Sequence, residues 1–523
     1  MQETVAADYG RSWYAATAVE APIRPPLVAD LDVDACVIGG GVAGLTAARE
    51  IARLGWSVVV LEAKRVAWNA SGRNCGFVLP GFGSDITRIV ERVGIDDARN
   101  LWTLSEAGVE YIRATIHETE MPGVQMRRGW LEVSKVDNGD EMIARINLLG
   151  QDFGAAVEGW PTERVREVLR TDQYFHAAHY PRAFHIHPLN YALGLARAAE
   201  QAGVRIFEQT PALEIDPAGV RKRILTPSAL LRAGQVILAG NTHIAGLMPE
   251  LAGTLLPLTS HVVVTEPLGS RLSDAVAYQG AVSDTRRANY HYRIVDGDRL
   301  MWAGGGEPFA RGIRGMSERL KTAITRTYPQ LGDIGIAYSW SGVMGFTVHR
   351  MPQIGEISPG LWVASGFGGH GLNTGAIAGN LVARAIADND DHWRAFLPYE
   401  LVWSGGMLGR AFAEAQSYTY NFRERFEAKQ AQKRERKRRE AGETLPPPNW
   451  DDARAASEQA VADVRTDEAY DMRSINTWPY ERQPRAESAS DEEFEASHQS
   501  TSADSVDWLR AKRTFGPDND QRQ

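Results

Sequence analysis

Six residues near the N-terminus have the types and spacing of a phosphate-binding turn: Gly39-Gly40-Gly41-Val42-Ala43-Gly44. Gly39 permits a sharp turn out of a strand, and Gly41 lets a pyrophosphate approach the backbone because it has no side chain. Gly44 lets the helix that follows pack close to a sheet. Free N–H groups of Val42 and Ala43 at the start of that helix would attract the phosphates.

Glu62 is placed to bind the other end of the same ligand. It follows the last glycine by 62 − 44 = 18 residues and comes directly after the apolar run Val58–Leu61. An acid at the end of the second strand accepts hydrogen bonds from ribose hydroxyls and would repel a 2′-phosphate. We therefore expect Glu62, with Ala63 beside it, at the adenosine end of a dinucleotide.

A strand, a helix and a second strand must hold these residues, and residues 34–62 show that pattern. Ala35–Ile38 is a short apolar run, as in a buried parallel strand. Apolar residues recur at helical spacing before Gly55, namely Leu45, Ala48, Ile51 and Ala52. The order of elements predicts a Rossmann-type domain, but it does not choose between NAD and FAD.

The rest of the chain predicts further elements in a second arrangement. Helices are expected over 86–118 and from Pro188 to Gly203, and strands at 130–133, 204–207, 236–239 and 361–364. Residues 257–337 contain short strand-like runs without clear helical patterns, which predicts an antiparallel sheet. A polar loop is expected over 70–76, and an alanine-rich helix is expected to end at about Asp388.

Several short motifs stand in a fixed order between residues 10 and 425. They are Ala70-Ser71-Gly72-Arg73-Asn74, His187-Pro188-Leu189, Val236–Gly240, Ser283-Asp284-Thr285, Tyr292-Arg293, Trp340-Ser341-Gly342 and Gly366-Phe367-Gly368-Gly369-His370-Gly371. In this order they resemble the D-amino-acid-oxidase-like flavoproteins, within them the branch that contains gamma-glutamylputrescine oxidase. Cys75 departs from the pattern, since a glycine is usual there, and the chain after about residue 430 lies outside the resemblance.

The resemblance implies FAD bound in an extended form. Its adenosine would lie at Glu62, and its pyrophosphate at the glycine turn and Ser71. The flavin would lie near Arg73, Asn74 and the late loop. That loop, Gly368, Gly369, His370, Gly371 and Leu372, precedes a helix, so its N–H groups would face the flavin N1–C2=O edge, where charge collects on reduction.

The candidates for the reaction itself are Arg293, Tyr292 and His370. The resemblance implies that Arg293, beside Tyr292, clamps a substrate carboxylate, a task that suits a guanidinium fork; a surface arginine on an exposed strand is the alternative. His370 would contact flavin or substrate, or else bond to nearby backbone. Cys75 is expected as a buried filler of a glycine's place rather than a covalent flavin link. No metal site is expected.

The predicted reaction is oxidation of a C–N bond in an amine or amino acid, with hydride transfer to flavin N5 and hydrolysis of the imine. The electron acceptor is oxygen or an unknown carrier. Two alternatives stay open: a flavin dehydrogenase of a hydroxy acid, and a non-catalytic flavoprotein subunit whose tail docks a partner or a second copy.

Composition limits these readings. A net charge of −9 argues against nucleic-acid binding. The chain has only two cysteines, no signal sequence and no long apolar run, which together favour a cytoplasmic protein without membrane spans.

The predicted fold is α/β: a discontinuous Rossmann-type FAD-binding domain and an α+β substrate domain with a mainly antiparallel sheet. The predicted division is an arm (1–31), the FAD-binding domain (32–118, 185–256, 338–395), the substrate domain (119–184, 257–337), a helical region (396–430) and a largely irregular polar tail (431–523).

Overall fold

The computed structural model describes residues 9–285, 290–309, 312–441 and 450. Within these ranges the strands form one sheet of eight strands and another of nine. None of the helices described is long and apolar enough to span a bilayer. The predicted polar tail lies outside the described residues from 451 onward.

The first sheet is the predicted Rossmann-type sheet. Its strands are β1 (Leu31–Ile38), β2 (Val58–Leu61), β7 (Arg205–Phe207), β8 (Glu214–Asp216), β9 (Lys222–Leu225), β10 (Leu230–Leu238), β16 (Gln353–Ser358) and β17 (Leu361–Ser365). Strands β17, β10, β1, β2 and β7 are parallel neighbours, and β16 adds an antiparallel edge. The central strands are apolar on both faces because helices cover both sides of a parallel sheet.

The second sheet is mainly antiparallel. Its strands are β3 (Phe77–Val78), β4 (Arg127–Val133), β5 (Glu158–Trp160), β6 (Ala177–His185), β11 (Leu256–Thr265), β12 (Ala281–Asp284), β13 (His291–Val295), β14 (Arg299–Glu307) and β15 (Ile336–Phe346). One pair, β4 with β12, is parallel and joins the two halves of the sheet. Strand β15 belongs here, although most of its residues fall in a segment predicted for the FAD-binding domain.

Helices cover these sheets. They are α1 (Trp13–Ala16), α2 (Val42–Arg53), α3 (Ala70–Arg73), α4 (Ile86–Val93), α5 (Ile95–Glu118), α6 (Gly139–Asn147), α7 (Thr162–Val168), α8 (Pro188–Gln201), α9 (Pro249–Ala252), α10 (Ser270–Ala275), α11 (Ile313–Thr327), α12 (Asn373–Asp388) and α13 (Gly406–Ala441). Helix α12 packs closely on α2. A Cβ on Gly379 would stand 2.4 Å from the carbonyl oxygen of Ala43, so the close approach requires a glycine at this position.

Three segments differ from the sequence expectations. Helix α11 lies where no helical pattern was evident; Met316, Leu320 and Ile324 bury one stripe on the second sheet. Residues 70–73, expected as a loop, form the short helix α3. Helix α13 continues to Ala441, past the predicted start of the irregular tail at residue 431.

The N-terminal arm penetrates the body of the protein. Tyr14 is fully buried, and its hydroxyl lies 3.2 Å from the sulfur of Met301 in β14. Ser12 caps α1 by accepting a hydrogen bond from the Ala15 N–H. Helix α1 of the arm is therefore part of the core beneath the second sheet.

Candidate functional site

One cavity of ≈ 1280 Å³ runs from the glycine turn of the first sheet to the face of the second. Residues from both sheets, from α3, from the late glycine loop and from the start of α13 line it. Its size exceeds the usual range for small-ligand sites, about 300–1,000 Å³. It therefore has room for a large cofactor together with a second molecule.

The glycine turn leaves no room for side chains. A Cβ on Gly44 would stand 2.1 Å from the carbonyl oxygen of Gly39, and Gly39 itself has a φ of +115°. A Cβ on Gly41 would stand 2.9 Å from the Ser71 hydroxyl oxygen, which accepts a hydrogen bond from the Val42 N–H. The turn thus presents backbone N–H groups at the start of α2, and Ser71 closes over them.

Glu62 stands where β2 ends and is held by main-chain donors. Its Oε2 accepts from the Gly40 N–H and its Oε1 from the Lys64 N–H, both at 2.8 Å. Burial raises the pKa of this carboxyl group, and the two N–H donors act against that rise. The side chain is fixed at the cavity wall with lone pairs left for a ribose hydroxyl.

The loop around α3 positions a half-buried cation, Arg73. The Arg73 guanidinium donates to three carbonyl oxygens, those of Trp68 at 3.0 Å, Ser341 at 3.1 Å and Tyr9 at 2.6 Å. Burial lowers the pKa of Arg73. Neutral carbonyls hold the charge without cancelling it, so the cavity receives a fixed positive potential. Asn74 ties the loop together by donating to the carbonyls of Ala70 and Ser71.

The late glycine loop forms another part of the wall. Gly368 and Gly369 have φ values of +57° and +94°, a conformation that favours glycine. Leu372 ends the loop as the N-cap of α12, so the positive end of that helix dipole lies at the cavity. The predicted cofactor residues Gly368, Gly369, His370, Gly371 and Leu372 all line the cavity.

The cavity also contains polar atoms that a ligand would satisfy. The buried Nδ1 of His370 and Oδ1 of Asn241 have no hydrogen-bond partner in the described part of the chain. Such groups are costly unless something else binds them. Together with the bare glycine turn and Glu62, they fit a bound dinucleotide.

The opposite end of the cavity lies on the second sheet. Glu132 in β4 and His291 in β13 line it, and His370 faces it from the late loop. Burial lowers the pKa values of both His291 and His370 to about 4, so both imidazoles are neutral at neutral pH. Glu132 is paired with Arg145 at 2.6 Å. Neither Glu132 nor His291 is among the site residues predicted from the sequence; strand alternation around His291 is the signal that would indicate it.

Arg293 and Tyr292, the predicted substrate residues, are not among the residues that line the cavity. Arg293 is 5% exposed; its Nη1 lies 2.7 Å from His185 Nδ1, and its Nη2 donates to the Tyr14 hydroxyl at 3.2 Å. A Cβ on Gly76 would stand 3.1 Å from the same Nη2, so the 75–76 loop covers Arg293 on the cavity side. The carboxylate clamp expected of Arg293 is therefore not supported.

Tyr292 points to the other face of its strand because successive side chains alternate. It stacks on Trp302 with ring centroids 4.3 Å apart, and its hydroxyl lies 2.7 Å from that of Tyr328. Tyr292 is therefore a core residue.

Cys75 does line the cavity, and burial raises the pKa of its thiol to about 12. The thiol is thus protonated at neutral pH.

Comparison with known proteins gives a consistent result. The family model DAO, described as FAD dependent oxidoreductase, matches residues 34–385. Gamma-glutamylputrescine oxidoreductase of Escherichia coli is 31% identical over 426 residues, covering 80% of this chain and 99% of that protein. A probable oxidoreductase, OrdL, of Haemophilus influenzae is 30% identical over 417 residues, covering 77% and 94%.

Solved structures show the same fold. Glycine oxidase of Bacillus cereus superposes with a TM-score of 0.57 at 19% identity, covering 69% of this chain and 96% of that chain. L-Proline dehydrogenase of P. horikoshii gives 0.58 at 19% identity, covering 72% and 98%.

Proposed function

This chain belongs to the DAO family of FAD-dependent oxidoreductases, and on that premise we propose that it oxidises a C–N bond of an amine or amino acid. When bound, FAD supplies a two-electron acceptor whose N5 takes a hydride from the carbon that bears nitrogen, and the imine product hydrolyses in water. The observation that carries the proposal is the single cavity that joins a dinucleotide turn to a substrate-sized space beside Glu132, His291 and His370.

The cofactor would be held mainly by main-chain groups. We assign Glu62 and Ala63 to the adenosine, and Ser71 and the turn residues Gly39, Gly41, Val42, Ala43 and Gly44 to the pyrophosphate. Arg73, Asn74 and the late loop are assigned to the flavin. The positive charge of Arg73 and the amino end of α12 would favour negative charge on the ring.

The substrate end suits an amine. The Glu132 carboxylate, whose Oε2 pairs with Arg145, would accept a hydrogen bond from an ammonium group, and uncharged imidazoles at His291 and His370 would not repel that group. The names of similar proteins, gamma-glutamylputrescine oxidoreductase and glycine oxidase, point to the same class of substrate. No carboxylate clamp from Arg293 is part of the proposal.

Anaerobic bleaching of the flavin tests the reaction. The purified holoenzyme is mixed with a panel of amines, amino acids and hydroxy acids, and flavin absorbance is followed. We expect bleaching by members of the first two classes alone. Bleaching by hydroxy acids alone would contradict the proposal, and a flavin that none of them bleaches would favour a non-catalytic subunit.

The electron acceptor is a separate question. The acceptor is oxygen or a carrier, and a stopped-flow experiment distinguishes the two by mixing the substrate-reduced enzyme with oxygenated buffer. Rapid return of the flavin absorbance supports an oxidase. Slow return that a soluble electron carrier accelerates would instead identify a dehydrogenase.

A further inference from the structure

Three hydrogen-bonded side chains cross the cavity face of the second sheet. Trp130 Nε1 lies 3.0 Å from Ser283 Oγ, and Ser283 Oγ lies 2.7 Å from His291 Nδ1. Ser283 is the register partner of His291 on one side and of Glu132 on the other, so these side chains share a face. Trp130 and Ser283 are buried, at 8% and 1% exposure, whereas His291 reaches the cavity.

The direction of these hydrogen bonds follows from the donor inventory. An indole N–H only donates, so Ser283 Oγ accepts from Trp130. The one hydrogen of the Ser283 hydroxyl then goes to His291 Nδ1, which must carry no proton. In the reverse arrangement His291 would donate, and the buried hydroxyl hydrogen of Ser283 would have no acceptor among the described residues.

The remaining proton of His291 is therefore on Nε2. The imidazole is uncharged at neutral pH because burial outweighs the opposing influence of Asp284 and Glu132 on its pKa, and a neutral imidazole has one N–H. The described residues give Nε2 no hydrogen-bond partner. The Nε2–H of His291 is thus a hydrogen-bond donor in a side chain that lines the cavity.

We propose that His291 binds an acceptor oxygen of the substrate through Nε2–H, and that Ser283 and Trp130 are positioning residues that fix its tautomer. The inference rests on the proposed function, because it requires an amine substrate at this end of the cavity. Glu132, one strand beyond Ser283, supplies the complementary carboxylate for an ammonium group. The preferred substrate is then an amine that also has a carbonyl or carboxylate oxygen, rather than a plain alkylamine.

Two matched variants test the contact. In His291→Gln the side-chain amide nitrogen reaches the place of Nε2, whereas in His291→Asn it reaches only the place of Nδ1. The apparent Kd for anaerobic flavin bleaching is measured for three amines of similar length: one plain, one with an amide carbonyl and one with a carboxylate. Comparison of the amide-bearing amine with the carboxylate-bearing amine shows which kind of oxygen is bound.

We expect His291→Asn to weaken the binding of the amine whose oxygen contacts His291 about tenfold, because one hydrogen bond is lost. The binding of the plain amine should weaken less than about twofold. His291→Gln should retain most of the affinity, and Ser283→Ala should lie between the two. Equal losses for Asn and Gln, or equal losses for all three amines, would overturn the assignment. If no amine bleaches the flavin in the unaltered enzyme, the proposed function fails and the substrate contact fails with it.

The tautomer has a readout that does not depend on turnover. ¹⁵N NMR of the holoenzyme with labelled histidine distinguishes protonated from unprotonated ring nitrogens, and the His291→Gln spectrum assigns the signals. We expect His291 to have its proton on Nε2 at pH 7 and to lose that preference in Ser283→Ala. A proton on Nδ1 in the unaltered enzyme would overturn the positioning role, even where amines bleach the flavin.

Discussion

The two ends of the cavity are built in different ways. At the dinucleotide end, a continuous segment from Gly39 to Glu62 supplies a turn, a helix start and a carboxylate, and it presents mainly main-chain N–H groups to the cavity. At the substrate end, Glu132, Ser283 and His291 come from three strands that are distant in the sequence and adjacent in the sheet. Here the proposed contacts to a ligand come from side chains.

The difference has a physical origin. A site made of backbone N–H groups must exclude side chains, so it leaves glycines at fixed spacing in one short segment. A site made of side chains depends on which strands pair and in what register, because a shift of one residue moves each side chain to the opposite face. The first kind of site is visible in a sequence, and the second requires the assembled sheet.

The largest expected effect comes from adding a side chain at the dinucleotide end. In Gly44→Val the new Cβ would stand 2.1 Å from the Gly39 carbonyl oxygen, a backbone atom that cannot rotate away. We expect the free energy of FAD binding to become less favourable by about 3 kcal/mol, which raises the Kd of FAD roughly hundredfold. The ratio of flavin to protein absorbance after gel filtration measures it.

Gly315→Ala is the matched control. Gly315 lies in α11 with no atom within 4 Å of its added Cβ, so alanine should leave FAD content unchanged and stabilise the helix by about 1 kcal/mol. If Gly44→Val retained full FAD, the backbone site would not be at this turn and the contrast between the two ends would be lost.

The second prediction concerns Arg293, buried behind the substrate end. Arg293→Ala leaves His185 Nδ1 and the Tyr14 hydroxyl without their partner. We expect the free energy of unfolding to fall by about 2–3 kcal/mol, while the apparent Kd of the substrate changes less than about twofold. Chemical denaturation and anaerobic titration measure these values. A large loss of affinity with unchanged stability would restore the carboxylate clamp.

The same contrast explains what the sequence could predict. The Rossmann-type sheet, FAD dependence and the family followed from Gly39–Glu62 and from motifs that keep their order, and the comparisons confirm them. The role of Arg293 did not follow, because only the three-dimensional arrangement shows that the 75–76 loop and Tyr14 cover it. Helix α11 was missed because its apolar stripe, Met316, Leu320 and Ile324, is sparse among charged residues.

The third prediction is a pH dependence set by three histidines, of which His291 and His370 line the cavity at the substrate end. Burial lowers the pKa of His187 to about 3 and those of His291 and His370 to about 4. Each histidine therefore binds its proton more readily in the unfolded chain, where the pKa of histidine is about 6.5. Stability is present above about pH 6.5 and is lost as the pH falls towards 4.

We expect the free energy of unfolding to fall by about 1 kcal/mol per histidine between pH 6.5 and 5.5. Urea denaturation across this range measures the slope, and His370→Gln should reduce it by the share of one histidine. A stability that stays constant or rises on acidification would mean that these imidazoles are not held neutral, which would remove the uncharged surroundings assumed for an amine.

The smallest effect separates charge from shape at the substrate end. Glu132→Gln keeps the size of the side chain but removes the carboxylate that faces the cavity. Since hydrogen bonds to charged groups exceed neutral ones, we expect roughly tenfold weaker binding of a cationic amine, visible in KM more than in kcat. The exposed Glu163 of α7 provides the control, since Glu163→Gln removes the same charge from a residue that does not line the cavity. Equal KM values for the two variants would show that Glu132 makes no specific contact with the ammonium group.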